Sequence, residues 1–118
     1  MNPDASIHLV HAHEEPDVYG EIAVYVPRPK MEELQRTHSE AVLAAAEEGA
    51  GLKNCGVRYT KEVLIGPIGQ TIARHAERLG CDAIVIGRHG KSTVGELFMG
   101  SVAMKVVHLT RLPVLLVR

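Results

Sequence analysis

The sequence predicts an α/β fold, an open and mostly parallel sheet with helices on both faces. Three observations predict it. Strand-like apolar runs and helical stripes alternate from Ile7 to Val117, the order from which parallel sheets with right-handed crossovers are built. Hydrophobic residues make up 46% of the chain but aromatics only 3%, and an aliphatic core suits sheets covered by helices. At 118 residues the chain has the length of one domain.

The elements follow in order. Ile7 to Ala12 reads as a short strand, with Ile7, Leu9 and Val10 as its apolar residues. Glu14 to Lys30 carries Pro16, Gly20, Pro27 and Pro29 and reads as a long excursion, with a brief extended piece at Ile22 to Val26. Met31 to Glu48 is the clearest helix, with Met31, Leu34, Ala41, Val42 and Ala45 as its expected apolar stripe. Gly49, Gly51 and Gly56 stop it, and Val57 to Ile65 alternates as a strand.

Gly66-Pro67 opens a second helix striped by Ile68, Ile72, Ala76 and Leu79. Gly80 ends it. Ala83 to Ile86 is a continuous apolar run, expected of a strand buried on both faces. The segment Gly87 to Gly100 leads into a helix from Ser101 to Thr110, and Pro113 precedes a last strand, Val114 to Val117.

Thirteen basic and 14 acidic side chains leave a formal net charge of -1, which gives no general attraction to nucleic acid or an anionic membrane. Cys55 and Cys81 follow no metal or redox spacing. No apolar run approaches the ~20 residues of a membrane span. Met1 to Ser6 is short and polar, unlike a secretory signal, so a cytoplasmic location is expected.

The segment that points to chemistry is Gly87-Arg88-His89-Gly90, nine further residues, then Gly100-Ser101. It follows a buried strand, where ligands bind in open α/β sheets. Gly87 and Gly90 can bring bare amides close to an anion. Gly100 and Ser101 open a helix, whose unpaired N–H groups favour negative charge, and the Ser101 hydroxyl can cap that helix or hold a phosphate oxygen. Glycines between a strand and a helix also serve as simple turn formers. Gly90-Lys91-Ser92 resembles the end of a Walker A loop, but Val85 stands where its first glycine is required, and no G-x-G-x-x-G occurs.

Asp82-Ala-Ile-Val-Ile-Gly87-Arg-His-Gly90, Gly100-Ser101-Val102 and the closing Leu112-Pro-Val-Leu-Leu-Val-Arg118 resemble the universal stress protein family. G-x2-G-x9-G-S is that family's ATP-binding pattern. Val63-Leu-Ile-Gly66-Pro67 and Ile7-His-Leu-Val-His11-Ala12 match two further family segments. The resemblance implies a flavodoxin-like, adenine nucleotide α-hydrolase-like sheet, homodimers, and ATP, AMP or ADP, with or without Mg, at the carboxyl edge. On it, Gly87, Gly90, Gly100 and Ser101 surround the phosphates and ribose, Ile86 and Val102 line the pocket, and Ala12 lies near the adenine. Arg88 and Lys91 are placed to neutralise phosphate, with His89 beside them. Val114 to Val117 resembles the edge strand that pairs in family dimers.

Family members begin with a strand ending in an Asp-containing turn, followed by a helix. This sequence opens at what corresponds to the family's second strand, and the expectation is an N-terminally truncated domain over residues 1–118. Direct pairing of the Ile7 and Ala83 strands, or insertion of a partner chain, is then expected to fill the gap.

Seven histidines invite a metal reading. His11 and His13 share a strand face near Glu14 and Glu15, but a third fixed ligand is missing, so no metal site is expected. Arg74, His75, Glu77 and Arg78 read as the wet face of a helix. No catalytic set can be assembled. The expectation is an adenine-nucleotide-binding stress-response protein and not an enzyme. A nucleotide-free dimeric interaction module and a slow ATPase are the alternatives.

Overall fold

The computed structural model describes residues 4–15, 26–87 and 100–117. It is an α/β structure with parallel strands, divided into two compact units, Met1–Gly66 and Pro67–Arg118.

In the first unit β1 (Ser6–His13) and β2 (Arg58–Ile65) run parallel, from Ser6 opposite Arg58 to His13 opposite Ile65. Parallel neighbours cannot be joined by a tight turn. The crossover here contains α1 (Arg28–Gly49) and a single 3-10 turn, Leu52–Asn54. Helix α1 starts three residues before Met31, because Pro29 falls in its first turn, where a missing N–H costs nothing.

The buried residues of α1 are Ser39, Leu43 and Glu47, one stripe at four-residue spacing. The expected apolar stripe is not the buried one: Leu34 is 54% exposed, and Ala41 and Ala45 are exposed too. Polar partners on the strands reverse the simple reading. Ser39 Oγ lies 2.7 Å from His13 Nδ1, and Glu47 accepts from Tyr59 and Lys61. A satisfied polar group can be buried where an unsatisfied one cannot.

The second unit contains α2 (Ile68–Arg78), β3 (Ile84–Gly87), α3 (Ser101–Leu109) and β4 (Val114–Val117). Strands β3 and β4 are parallel, with Ile84 opposite Val114 and Gly87 opposite Val117. Ala76, Ile84 and Val106 form the core, with Ile72, Cys81, Ile86, Val102, Leu112 and Val114 packed against it. Helix α2 ends as its glycine implies. Gly80 takes φ 70°, the Cys81 amide donates to Ala76 O and the Gly80 amide to Glu77 O, the paired bonds of a Schellman motif. The Glu77 side chain then accepts from the Arg111 amide at 3.0 Å, tying α2 to the turn before β4.

Two expectations are corrected here. Strand β3 is buried on one face only, because Val85 is 64% exposed while Ile84 is 7% exposed. The core side of this pair takes Ile84, Ile86 and Val114, whereas Val85 and Leu115 alternate outward. His75 is 6% exposed, not part of a wet face, and Arg78 lies 2.8 Å from its Nδ1. The described ladders are two pairs, β1–β2 and β3–β4. The extended piece expected at Ile22 to Val26 falls mostly outside the described residues.

Helices α2 and α3 approach closely at Gly69. A Cβ there would stand 2.7 Å from both Cβ and Cγ of Lys105, the rigid base of that side chain and not its mobile end. Gly69→Val should therefore overpack the helix pair and destabilise the protein by about 1–3 kcal/mol, read as a lower urea midpoint. An unchanged midpoint would show that the helices separate at no cost.

Candidate functional site

Helix α3 carries the best-defined part of the predicted nucleotide site. Gly100 is its N-cap, with φ -62° and ψ 157°, and has no side chain with which to cap the helix. The first backbone bond runs from the Met104 amide to Gly100 O at 2.9 Å. The amides of Ser101, Val102 and Ala103 therefore precede the hydrogen-bonded ladder, as the leading donors of any helix do. No acidic residue sits in the first turn of α3. Those donors and the helix dipole leave a site suited to an anion.

Two details of the glycine and serine reading change. Gly100 has an ordinary negative φ, so backbone freedom is no reason for glycine there. Ser101 is the first helical residue and not the cap. Its exposed side chain leaves the hydroxyl available for a phosphate oxygen.

The neighbouring helix adds to the same field. Helix α2 also starts without a side-chain cap or an acidic residue in its first turn. Its Gly69 lies beside α3, with a virtual Cβ 3.5 Å from Val102 O. Two uncapped helix starts thus adjoin in one unit.

The remaining predicted residues divide three ways. Ile86, near the end of β3, and Val102 pack against the same core cluster, so the two apolar lining residues are brought together. Gly87 closes β3 opposite Val117. Ala12 is 5% exposed near the end of β1, opposite Leu64, and belongs to the first unit. Arg88, His89, Gly90 and Lys91 lie outside the described residues.

Sequence reasoning missed the polar seam of the first unit. Glu47, 5% exposed, accepts from Tyr59 Oη at 2.6 Å and Lys61 Nζ at 3.0 Å. The Tyr59 hydroxyl, then the Lys61 ammonium, hold the Glu47 carboxyl below its usual range, and the same hydrogen bond raises the Tyr59 phenol. The signal was present: Tyr59 and Lys61 are two residues apart on a strand and so share a face. At the other end of the seam the His11 and His38 rings stand edge to face, 6.4 Å apart. Among the described residues no group of three or more His, Cys, Asp or Glu side chains is placed to hold a metal ion. No described helix is long and apolar enough to cross a membrane.

A sequence profile of the Universal stress protein family matches residues 1–118. Universal stress protein Sll1388 of Synechocystis is 30% identical over 103 residues, covering 87% of this chain and 67% of that protein. Universal stress protein YxiE of Bacillus subtilis is 35% identical over 98 residues, covering 80% of this chain and 65% of that protein. The chain thus spans about two thirds of the length of these two relatives. Among solved structures, hypothetical protein MJ0577 of Methanocaldococcus jannaschii superposes with a TM-score of 0.76 at 24% identity, covering 93% of this chain and 73% of that one. At that identity the likeness establishes the fold.

The Glu47 seam has a definite pH consequence. A carboxyl with a depressed pKa stabilises the fold above its unfolded value, and that contribution disappears as pH falls through the folded value. Glu47→Gln should lower stability at neutral pH and flatten the stability profile below about pH 5, as read by chemical denaturation across that range. Parallel acid limbs in variant and parent would remove Glu47 as the cause.

Proposed function

The chain belongs to the universal stress protein family, and from that premise we propose that it is a cytoplasmic, homodimeric adenine-nucleotide-binding stress-response protein and not a dedicated enzyme. The observation that carries the nucleotide reading is the start of α3. Gly100 and Ser101, the end of the G-x2-G-x9-G-S spacing, open a helix with no side-chain cap and no acid in its first turn. That arrangement suits a phosphate chain, and the adjoining start of α2 reinforces the positive potential.

Within this reading the amides of Ser101 and Val102 donate to phosphate oxygens, and the Ser101 hydroxyl adds a donor. Ile86 and Val102 supply apolar contact, and Gly87 leaves room beside the end of β3. Arg88 and Lys91 balance the phosphate charge, with His89 and Gly90 in the same segment, and Ala12 serves the base. A magnesium ion would ride on the phosphates. Function is then binding: bound nucleotide orders a surface that other proteins read.

Strand β4 supports the dimer. It pairs with β3 on one side, Leu115 is 59% and Val117 41% exposed, and an apolar strand of this kind favours association.

Calorimetry with ATP should show saturable binding that Gly100→Val weakens at least about tenfold, since a branched side chain obstructs close approach. Equal affinity in both proteins would discard the glycine reading. Sedimentation velocity should show a dimer that Leu115→Lys shifts towards monomer, and a parent that sediments as a monomer at all concentrations would remove the dimer.

A further inference from the structure

Helix α1 is two-sided, and its apolar side is the open one. Ser39, Leu43 and Glu47 are buried, with His13, Tyr59 and Lys61 of the strands as polar partners. Round the helix from them, Met31, Leu34, His38, Ala41 and Ala45 follow one another at alternating steps of three and four residues. That is the two-in-seven seam along which one helix packs on another. Leu34, His38, Ala41 and Ala45 are exposed and Met31 is half-buried, so no described element packs along the seam.

Two features of the seam select what fits it. Side-chain size falls along its length, from Met31 and Leu34 near the start of α1 to Ala41 and Ala45 near its end. A second copy of the helix laid antiparallel sets the large pair of each against the small pair of the other. A parallel copy sets large on large and leaves voids between the alanines. Met31 and Ala45 are equidistant from His38 in the sequence, which puts the two-fold axis there. Charge obeys the same symmetry. Lys30 and Glu48 stand exposed at opposite ends of the seam, equidistant from Ser39. The ion pair of Lys30 with Glu33 is exposed and long, at 3.7 Å, and Glu48 is in no ion pair among the described residues. The His38 ring leans to the strand side, edge to face with His11 at 6.4 Å.

We propose that two copies of this chain associate through α1, antiparallel about a two-fold axis at His38. Met31 and Leu34 seat on Ala45 and Ala41 of the partner subunit, and Lys30 pairs with Glu48 of the partner subunit. Two-fold symmetry makes each contact twice. The polar seam that fixes α1 to its own strands is left intact, because it occupies the other side of the helix. This face is separate from β4, which belongs to the second unit, so a chain that uses both surfaces assembles beyond a dimer. A single pair of helices is small beside a standard protein interface. The α1 contact is therefore the weaker of the two and emerges at higher concentration.

Sedimentation velocity of the full chain carrying Leu115→Lys, up to about 1 mM, tests the pairing with the β4 edge disabled. A monomer–dimer equilibrium is expected, with a dissociation constant on the order of 100 µM. Adding Ala41→Glu, a good helix former at an exposed position, should leave only monomer while the far-UV circular dichroism stays unchanged. Lys30→Glu alone and Glu48→Lys alone should each weaken the dimer about tenfold, because like charges then meet at both ends. An equimolar mixture of those two variants should regain the affinity of the Leu115→Lys chain, since opposite charges meet again at both ends, an outcome no effect within one chain can produce. A Leu115→Lys chain that stays monomeric to about 1 mM overturns the proposal. So does association that Ala41→Glu leaves unchanged, or a mixture no tighter than its components. Failure of the β4 reading shows separately, as a parent chain whose association Leu115→Lys does not alter.

Discussion

Parallel pairing is the constraint on which the rest of the molecule depends. Two strands running the same way must be joined by a crossover long enough to return the chain to its starting end. Each ladder here meets that need with a helix, α1 between β1 and β2 and α3 between β3 and β4. The crossovers bring helix starts and strand ends to one edge of each pair. The leading amides of the crossover helices lie at that edge, which is the side where ligands bind in parallel sheets.

The two units solve the burial of a helix differently. In the second, α3 buries Ala103 and Val106, and Ala76, Ile84 and Val106 make an ordinary aliphatic core. In the first, α1 buries Ser39 and Glu47 with Leu43 between them. That seam holds because each polar group finds a fixed partner on a strand: His13 for Ser39, Tyr59 and Lys61 for Glu47. Such a seam demands a defined register, since a one-residue slip would turn Tyr59 and Lys61 to the other face.

Binding of an anion at α3 needs no catalytic apparatus. The donors are main-chain amides, present in any helix, and among the described residues no acidic side chain stands in the first turn to compete for them. In the proposed reading those amides are the groups that hold a phosphate chain.

By itself the sequence determined the parallel α/β class and the order of elements, because these rest on local matters: alternation, helical spacing and glycine after a last turn, whereas the start of α1 at Arg28 was hidden by reading Pro27 and Pro29 as loop. Gly80 closing α2 and the Gly100-Ser101 helix start were legible for that reason, as was the family resemblance carried by glycine spacing. Tertiary structure alone decided which face of α1 is buried, that Val85 points outward and that His75 points in. Those outcomes depend on partners distant in the chain. Ser39 and Glu47 look like solvent-facing residues until Tyr59, Lys61 and His13 satisfy them, and hydropathy along a single helix carries no record of what a strand elsewhere will donate.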